Sequence, residues 1–323
     1  MAKALTFIAA LVFALTSAEQ TRPAKQWFKG NTHTHTLKSD GDSSPEEVVR
    51  WYREHGYDFL VITDHDQITS VASGDRAFLL IPGEEVTDRL PKKPLHVNAI
   101  GLKRLVTPQG GTSPADVLQH DVDAVRSAGG IPMINHPNFV WAFGADVLRQ
   151  LQNVKLLEIA SGHPLVNMMG GGGFPSVEAM WDEVLTSGKT MYAVAVDDMH
   201  HLKWEIPKGE IALAQPGKGW VMVHAESLTT DAIMHALDSG DFYASTGVEI
   251  ADYTVTKKSM TITIHQIGDA KFRTFFIGSH GKVLRESITN PATYKIRGNE
   301  GYVRVKVIDS NGKAAWTQPV RVQ

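Results

Sequence analysis

The sequence predicts an α/β fold followed by a smaller antiparallel β part, and three observations carry that expectation. From Trp27 to about residue 247, short β-rich runs alternate with helical patterns, as in a fold assembled from βα units. Beyond that point the helical period disappears, and apolar and polar residues alternate between turn dipeptides. The runs of the first part also end in histidines and carboxylates, side chains for which a hydrophobic core has no use.

The first stretch, "MAKALTFIAALVFALTSAEQTRP", has an early lysine, an apolar run from Ala4 to Leu15, and small residues at Thr16 and Ala18. It reads as a secretory leader over residues 1–18, removed after Ala18. The expected product is exported, periplasmic or secreted. It carries no membrane anchor, since no other stretch approaches about 20 uninterrupted apolar residues and no cysteine follows the run to take a lipid.

The strand candidates that follow are "WFKGNTHTH", "DFLVITDH", "FLLIPGEEV", "LHVNAIGL", "GIPMINHP", "KLLEIAS", "MYAVAVDD" and "WVMVHA". Helices with clear start signals lie between several of them. In "SPEEVVRWYREHG", Ser44 is placed as N-cap, Pro45 as first helical residue and Glu47 as capping-box partner, with Gly56 as the stop. "SPADVLQHDVDAVRSAGG" repeats the scheme with Ser113, Pro114 and Asp116. In residues 248–323, "DYTVTKKSMTITIHQ", "KFRTFFIGS" and "YVRVKVIDSNGKAAWTQPVRV" predict a small antiparallel, sandwich-like domain.

Composition limits the chemistry. The 323 residues, 42% hydrophobic, supply ample core for one large domain or two smaller ones. A net charge of −3 provides no basic stripe for phosphate backbones, so nucleic acid is not the expected partner. With no cysteine, a metal must be held by nitrogen and oxygen, which makes the 14 histidines the residues to follow.

Their placement is regular. His33 and His35 close the first run, Asp64, His65 and Asp66 the second, and Glu84 and Glu85 the third. His136 closes "INHP", and Asp197, Asp198, His200 and His201 close "AVDDMHH". In a barrel such strand ends form one mouth. Residues i and i+2 of a strand share a side, so His33 with His35, and Asp198 with His200, can each face one ion. An isolated His-x-His is weak evidence, and five converging strand ends are strong evidence. His55, His120, His235, His265 and His280 fall on helices or in the β part and are assigned no role. His96 lies in a strand but early in it. His163 follows a strand in "EIASGHP", ahead of Gly170 to Gly173, which read as a mobile loop in preference to an anion cradle.

In order, "HTHT…SDG", "YDFLVITDHD", "IPGEEVT", "HVNAIGL", "NHP" and "DDMH" resemble the polymerase and histidinol phosphatase (PHP) family of metallohydrolases over roughly residues 27–247. The resemblance implies a distorted (β/α)₇ barrel of PHP type over residues 19–247, with two or three divalent ions (zinc, manganese or iron) at the strand ends. It implies that His33 and His35 bind a first ion with Asp198, that Glu85 bridges it to a second held by His96 and His136, and that Asp40, His65 and His200 bind a third. By the same pattern, Glu85 is preferred to Glu84 and Asp198 to Asp197. The chain is also similar to an exported branch of the carbaryl-hydrolase type, which cleaves a carbamate ester.

Ions so placed activate a water as nucleophile and stabilise charge on the reacting oxygens. The expected function is hydrolysis of a small-molecule ester, with small phosphomonoesters or diesters placed first. His163 is then a candidate acid or anion contact at the leaving oxygen, with a loop-ordering role as its alternative. Carbamate or carboxylic-ester hydrolysis is the second reading, with Phe139, Trp141, Phe143, Met168, Met169 and Phe174 available as an apolar lining. A non-catalytic metal-binding scaffold with an adhesive β-domain is the third.

Overall fold

The computed structural model describes residues 24–72, 77–209 and 211–322; the leader expected over residues 1–18 lies outside them. The first strand, β1 (Gln26–Asn31), is followed by helix α1 (Pro45–Glu54). The helix starts as the sequence requires: Ser44 accepts from the Glu47 N–H, and the Glu47 carboxylate accepts from the Ser44 N–H. Strand β2 (Phe59–Ile62) is apolar and buried on both faces, the pattern of a strand inside a parallel sheet.

Strand β3 (Leu79–Leu90) then departs from a simple βα repeat. Only its first half pairs in parallel with β2, to Pro82. The second half turns at Pro91 and Lys92 into an antiparallel hairpin with β4 (Lys93–Ile100). Lys92 supplies the left-handed residue the tight turn needs, at φ 64. Helix α2 (Pro114–Ser127), capped by Ser113, leads to β5 (Ile131–Ile134), which is antiparallel to β4. After a short helix α3 (Ala145–Gln150), β6 (Leu156–Ser161) and β7 (Tyr192–Val196) continue in parallel, with α4 (Val177–Thr186) between them.

Strand β8 (Trp220–Ala225) returns antiparallel against β1, and α5 (Thr230–Ser239) leads to β9 (Phe242–Ser245). The last strands are β10 (Ile250–Val255), β11 (Ser259–Ile264), β12 (Phe272–Gly278), β13 (Lys282–Ser287), β14 (Ala292–Lys295), β15 (Tyr302–Asp309), β16 (Ala314–Thr317) and β17 (Val320–Arg321). One large mixed sheet runs β13-β12-β15-β16-β9-β8-β1-β2-β3-β4-β5-β6-β7, with β17 beside β15; β10, β11 and β14 form a second sheet. Met260 and Ile262 of the small sheet pack with Phe276, Val303 and Val305 of the large one in a common apolar core.

A buried ionic joint ties the late strands to α4. Arg304, 1% exposed, donates to both Asp182 oxygens at 2.7 and 2.6 Å and to Glu178 at 3.0 Å. Tyr302 donates to the same Asp182 at 2.7 Å. Among the described residues, no helix is long and apolar enough to cross a membrane.

Candidate metal centre

The ends of the strands bring the nine residues singled out by sequence to one place. Beyond β1, Asp64 accepts from the Thr36 N–H, the Thr36 hydroxyl and the Ser39 hydroxyl at 2.7, 2.7 and 2.8 Å. That knot curls "THTLKSD" back on itself, so Asp40 faces the histidine five positions before it, with Oδ1 3.4 Å from His35 Nδ1. At the far edge, the Asp198 N–H donates to the His33 carbonyl at 3.0 Å and the His35 N–H to Met199 at 2.8 Å, joining the end of β7 to that of β1. Asp198 takes a left-handed conformation, φ 48, which Asp tolerates better than most residues.

Glu85 stands at the centre. Its Oε2 lies 3.3 Å from His33 Nε2, 3.3 Å from His35 Nε2 and 3.2 Å from His65 Nδ1. Its Oε1 lies 2.9 Å from His96 Nδ1 and 3.4 Å from His136 Nε2. Oε2 thus faces His33, His35 and His65 and Oε1 faces His96 and His136, so the one carboxylate reaches histidines of more than one group. Asp198 Oδ1 lies 3.2 and 3.4 Å from the Nε2 atoms of His33 and His35. On the open side, Asp40, 52% exposed in its side chain, has Oδ2 3.3 Å from His65 Nε2 and Oδ1 3.4 Å from His200 Nε2.

Apart from the 2.9 Å between His96 and Glu85, these separations suit ligands better than hydrogen bonds. Donors about 2.0–2.2 Å from a common ion stand about 3.3–3.5 Å apart at the edges of a tetrahedron. His33 Nε2, His35 Nε2 and His96 Nδ1 are buried without a hydrogen-bond partner, although carboxylate oxygens lie close by. Buried polar atoms are normally satisfied, and unpartnered imidazole nitrogens grouped with carboxylates are a donor set that a divalent cation would complete. The residues therefore fit divalent ions, in interlocking groups: His33, His35 and Asp198; His33, Glu85 and His136; His65, Glu85 and His96; His35, Asp40, His65 and His200.

Electrostatics agree. Burial favours the neutral form of Glu85, yet His33, His96 and His65 outweigh it and hold the carboxyl well below its usual range. Burial pulls His35 down, but Asp198 and Glu85 push it up to about 9. The buried carboxylates demand positive charge, which protonated imidazoles or cations can supply.

Sequence reasoning missed the groups behind the ligands. Glu158 of β6 sits 2.9 Å from His33 Nδ1, so a proton there leaves the Nε2 lone pair free for an ion. Asn135 donates to Glu85 Oε1 at 2.7 Å and to Asn98 at 2.9 Å, and Asn98 donates to the Thr32 carbonyl at 3.0 Å. Their one sequence signal is a polar residue within an apolar strand run, for Glu158 and Asn98, or directly after one, for Asn135. The neighbours left aside are structural: Asp197 accepts from Tyr52 at 2.8 Å and from the Lys218 and Gly219 N–H groups at 2.6 and 2.9 Å, and Glu84 accepts from the Val106 N–H.

His163 lies beside the ligands, its ring centroid 5.1 Å from that of His200. Its Nδ1 accepts from the Leu165 N–H at 3.2 Å, and desolvation lowers its pKa to about 4. It is therefore a neutral imidazole whose proton sits on Nε2. The Nδ1 bond orders the loop, and Nε2–H remains a donor. Gly170 to Gly173 all have positive φ, and Gly171 closes a turn with Phe174, as a loop would. The site opens into a cleft of about 350 Å³ lined by the ligand candidates other than His33 and His35, which lie beneath it, and by His163, Phe139, Leu165 and Val166.

No family model matches the chain. No curated protein matches it either. Among solved structures, it is similar to a two-domain protein from Bacteroides vulgatus containing a predicted PHP-like metal-dependent phosphoesterase, with 17% identity, 92% of this chain and 96% of that one covered, and a TM-score of 0.50. At that identity the likeness concerns the fold, and it agrees with the mixed α/β architecture and PHP-like arrangement that the motifs imply. Lesser likenesses are to an amidohydrolase from Chromobacterium violaceum with bound sulfate and no metal (17% identity, 53% and 87% covered, TM-score 0.36). A protein from Bifidobacterium adolescentis assigned as a metal-dependent phosphoesterase is similar at 15% identity, with 58% and 92% covered and a TM-score of 0.36. Neither of these two carries an argument, and none of the three bears on the carbaryl-hydrolase branch.

Proposed function

We propose that the protein is a metal-dependent hydrolase holding two or three divalent ions, and that it acts on small phosphomonoesters or diesters. The observation that carries this is the convergence of the unpartnered buried nitrogens of His33, His35 and His96 around the carboxylates of Glu85 and Asp198. A set of imidazoles and carboxylates suits zinc, manganese or iron. When bound, such ions supply Lewis acidity to a phosphoryl or acyl oxygen and lower the pKa of water.

The chain's own residues do the remaining work. Glu158 fixes the tautomer and orientation of His33. Asn135 holds Glu85 in its central position. His163, neutral and protonated on Nε2, donates a hydrogen bond to the substrate's leaving oxygen. Phe139, Leu165 and Val166 keep bulk water from one wall of the cleft. That apolar wall also favours a second reading, hydrolysis of a carbamate or carboxylic ester, whose acyl substituent it would accommodate.

The same reading places residues 19–247 in a distorted (β/α)₇ barrel, supported by the bonds that join β7 to β1, with the antiparallel hairpin of β3 and β4 as its departure from a regular repeat. Residues 248–323 form a sandwich-like domain, supported by the shared core between the small and large sheets. The leader directs export, and the partner is a small-molecule ester.

The test is to load purified protein with manganese, zinc or iron, count the ions per chain, and assay p-nitrophenyl phosphate, bis-p-nitrophenyl phosphate and a naphthyl carbamate in parallel. Two or three ions per chain with phosphoester turnover supports the proposal. Carbamate turnover well above both phosphoesters favours the second reading, and protein that stays metal-free after loading defeats both.

A further inference from the structure

The loops that leave the metal centre carry large apolar side chains outward. After β5, Val140 is 53% exposed. After β6, Leu165, Met169 and Phe174 are 40, 86 and 50% exposed, and after β7, Trp204 and Ile211 are 82 and 76% exposed. Burying such side chains is favourable, so these loops leave unused a driving force that the rest of the fold collects. Grouped apolar exposure around a cleft marks a binding surface.

The backbone of these loops is held while the side chains are left out. Asn138 donates to the carbonyls of Asn167 and Pro175 at 3.0 Å each, and Asn167 donates back to Asn138 at 3.3 Å, stitching the loop after β5 to the loop after β6. Asp42 accepts from the N–H groups of Leu202 and Lys203 at 2.9 and 3.0 Å, pinning the loop after β7. Val140 and Trp141 both take left-handed backbone, φ 52 and 55, which is costly for a β-branched or bulky residue. Trp141 meets that cost while stacked on Phe174, ring centroids 4.4 Å apart, outside the core. Leu165 both lines the metal cleft and reaches solvent, and Val140 directly follows Phe139, another residue of that lining.

We infer that the rim is a subsite for the apolar part of an amphiphilic ester, whose head group enters the cleft while its hydrocarbon lies across Val140, Leu165, Met169, Phe174, Trp204 and Ile211. This rests on the proposed hydrolase reading and narrows its substrate class. The cleft, about 350 Å³, takes a head group and a few carbons, and a longer chain must leave over the rim. A single amphiphile suits the loop after β7 better than a lipid surface does. Its "KWEIPKGEI" alternates Lys203, Glu205, Lys208 and Glu210 and lacks the basic cluster that anionic membranes attract.

The experiment measures binding of methyl-, butyl- and octylphosphonate to the metal-loaded full chain by calorimetry, since a carbon–phosphorus bond gives a phosphate-like head that hydrolysis leaves intact. A half-covered methylene is worth about twofold in affinity, so octylphosphonate should bind about a hundredfold tighter than methylphosphonate. In the double variant Met169→Ser/Trp204→Ser that ratio should fall below about tenfold, while Ile288→Ser, an exposed apolar residue of β13's following turn, should keep it. Equal affinity for the three phosphonates in the wild type overturns the inference. Tight binding to phosphatidylglycerol vesicles that the double variant abolishes also overturns it, in favour of a membrane surface. A chain-length effect without hydrolysis of any ester defeats the hydrolase proposal and leaves the subsite standing.

Discussion

Glu158 lies 2.9 Å from His33 Nδ1 with both side chains fully buried, so the orientation of the first histidine of the site is set from the opposite strand of the fold. Groups in this position usually govern metal affinity by about 10- to 100-fold. Glu158→Gln keeps the shape and weakens the acceptor, and it should lower affinity for the ion held by His33 and His35 about tenfold. Competition against a chelating dye measures this; unchanged affinity would show that packing alone orients His33.

Asp197 and Asp198 are adjacent and should fail in different ways. Asp198→Asn removes a ligand-type oxygen 3.2 Å from His33 Nε2 and should reduce the number of ions retained after dialysis. Asp197→Ala removes the acceptor for Tyr52 and two backbone N–H groups and should destabilise the metal-free protein by about 3 kcal/mol, read by denaturant unfolding in a chelator. The opposite pairing of effects would reverse the assignment of the two carboxylates.

Asp121 supplies a pH dependence separate from the metals. Burial, reinforced by Asp88, pushes its carboxyl up to about 7, although the Gln109 N–H bond opposes the rise. Unfolded, the group loses its proton at about 3.9. Between those values the folded state binds more protons, so this contribution to stability is present at acid pH and declines as pH rises towards 7 and just beyond. Asp121→Asn should flatten the decline, gaining about 2–4 kcal/mol relative to wild type between pH 5 and pH 8. Unfolding in a chelator excludes the pH dependence of metal binding, and parallel curves for the two proteins would refute the assignment.

Arg304 ties β15 to α4 from a fully buried position. Arg304→Met strands Asp182 without its cation, while Glu178 keeps Lys306, and should cost about 3–5 kcal/mol, whereas Arg304→Met/Asp182→Leu should recover much of the loss because the uncompensated buried charge is gone. Thermal melting of the three proteins decides it; a double variant as weak as the single one would mean that packing around Trp181 matters more than charge.

Loading with metal should stabilise the chain by mass action, about 2.7 kcal/mol at a hundredfold excess over the dissociation constant. His96→Ala should shrink that gain, because it removes one of the nitrogens facing Glu85 Oε1. A melting temperature indifferent to metal in the wild type would contradict the site.

His96 shows where strand-end reasoning stops. It lies early in β4 and so at the wrong end for a parallel fold, but β4 runs antiparallel to β3, and His96 registers with Thr87, two residues beyond Glu85. Direction of pairing is a long-range property that a local hydrophobic pattern does not encode. Glu85 likewise lies within a longer strand, and its position matters because the parallel pairing with β2 ends at Pro82.

The sequence by itself determined the helix starts at Ser44 and Ser113, the strands, and the pair His33 with His35, whereas Asp198 and His200 fall in different groups. Caps and the two-residue strand period act between near neighbours in the chain. Only the tertiary structure decided that Glu85 turns its two oxygens to different histidines, that Glu158 and Asn135 stand behind the ligands, and that Phe139, Leu165 and Val166 line the same cleft. Those relationships join strands far apart in sequence, and they are set by how the sheet curves and which way each strand runs, which packing of the whole chain decides.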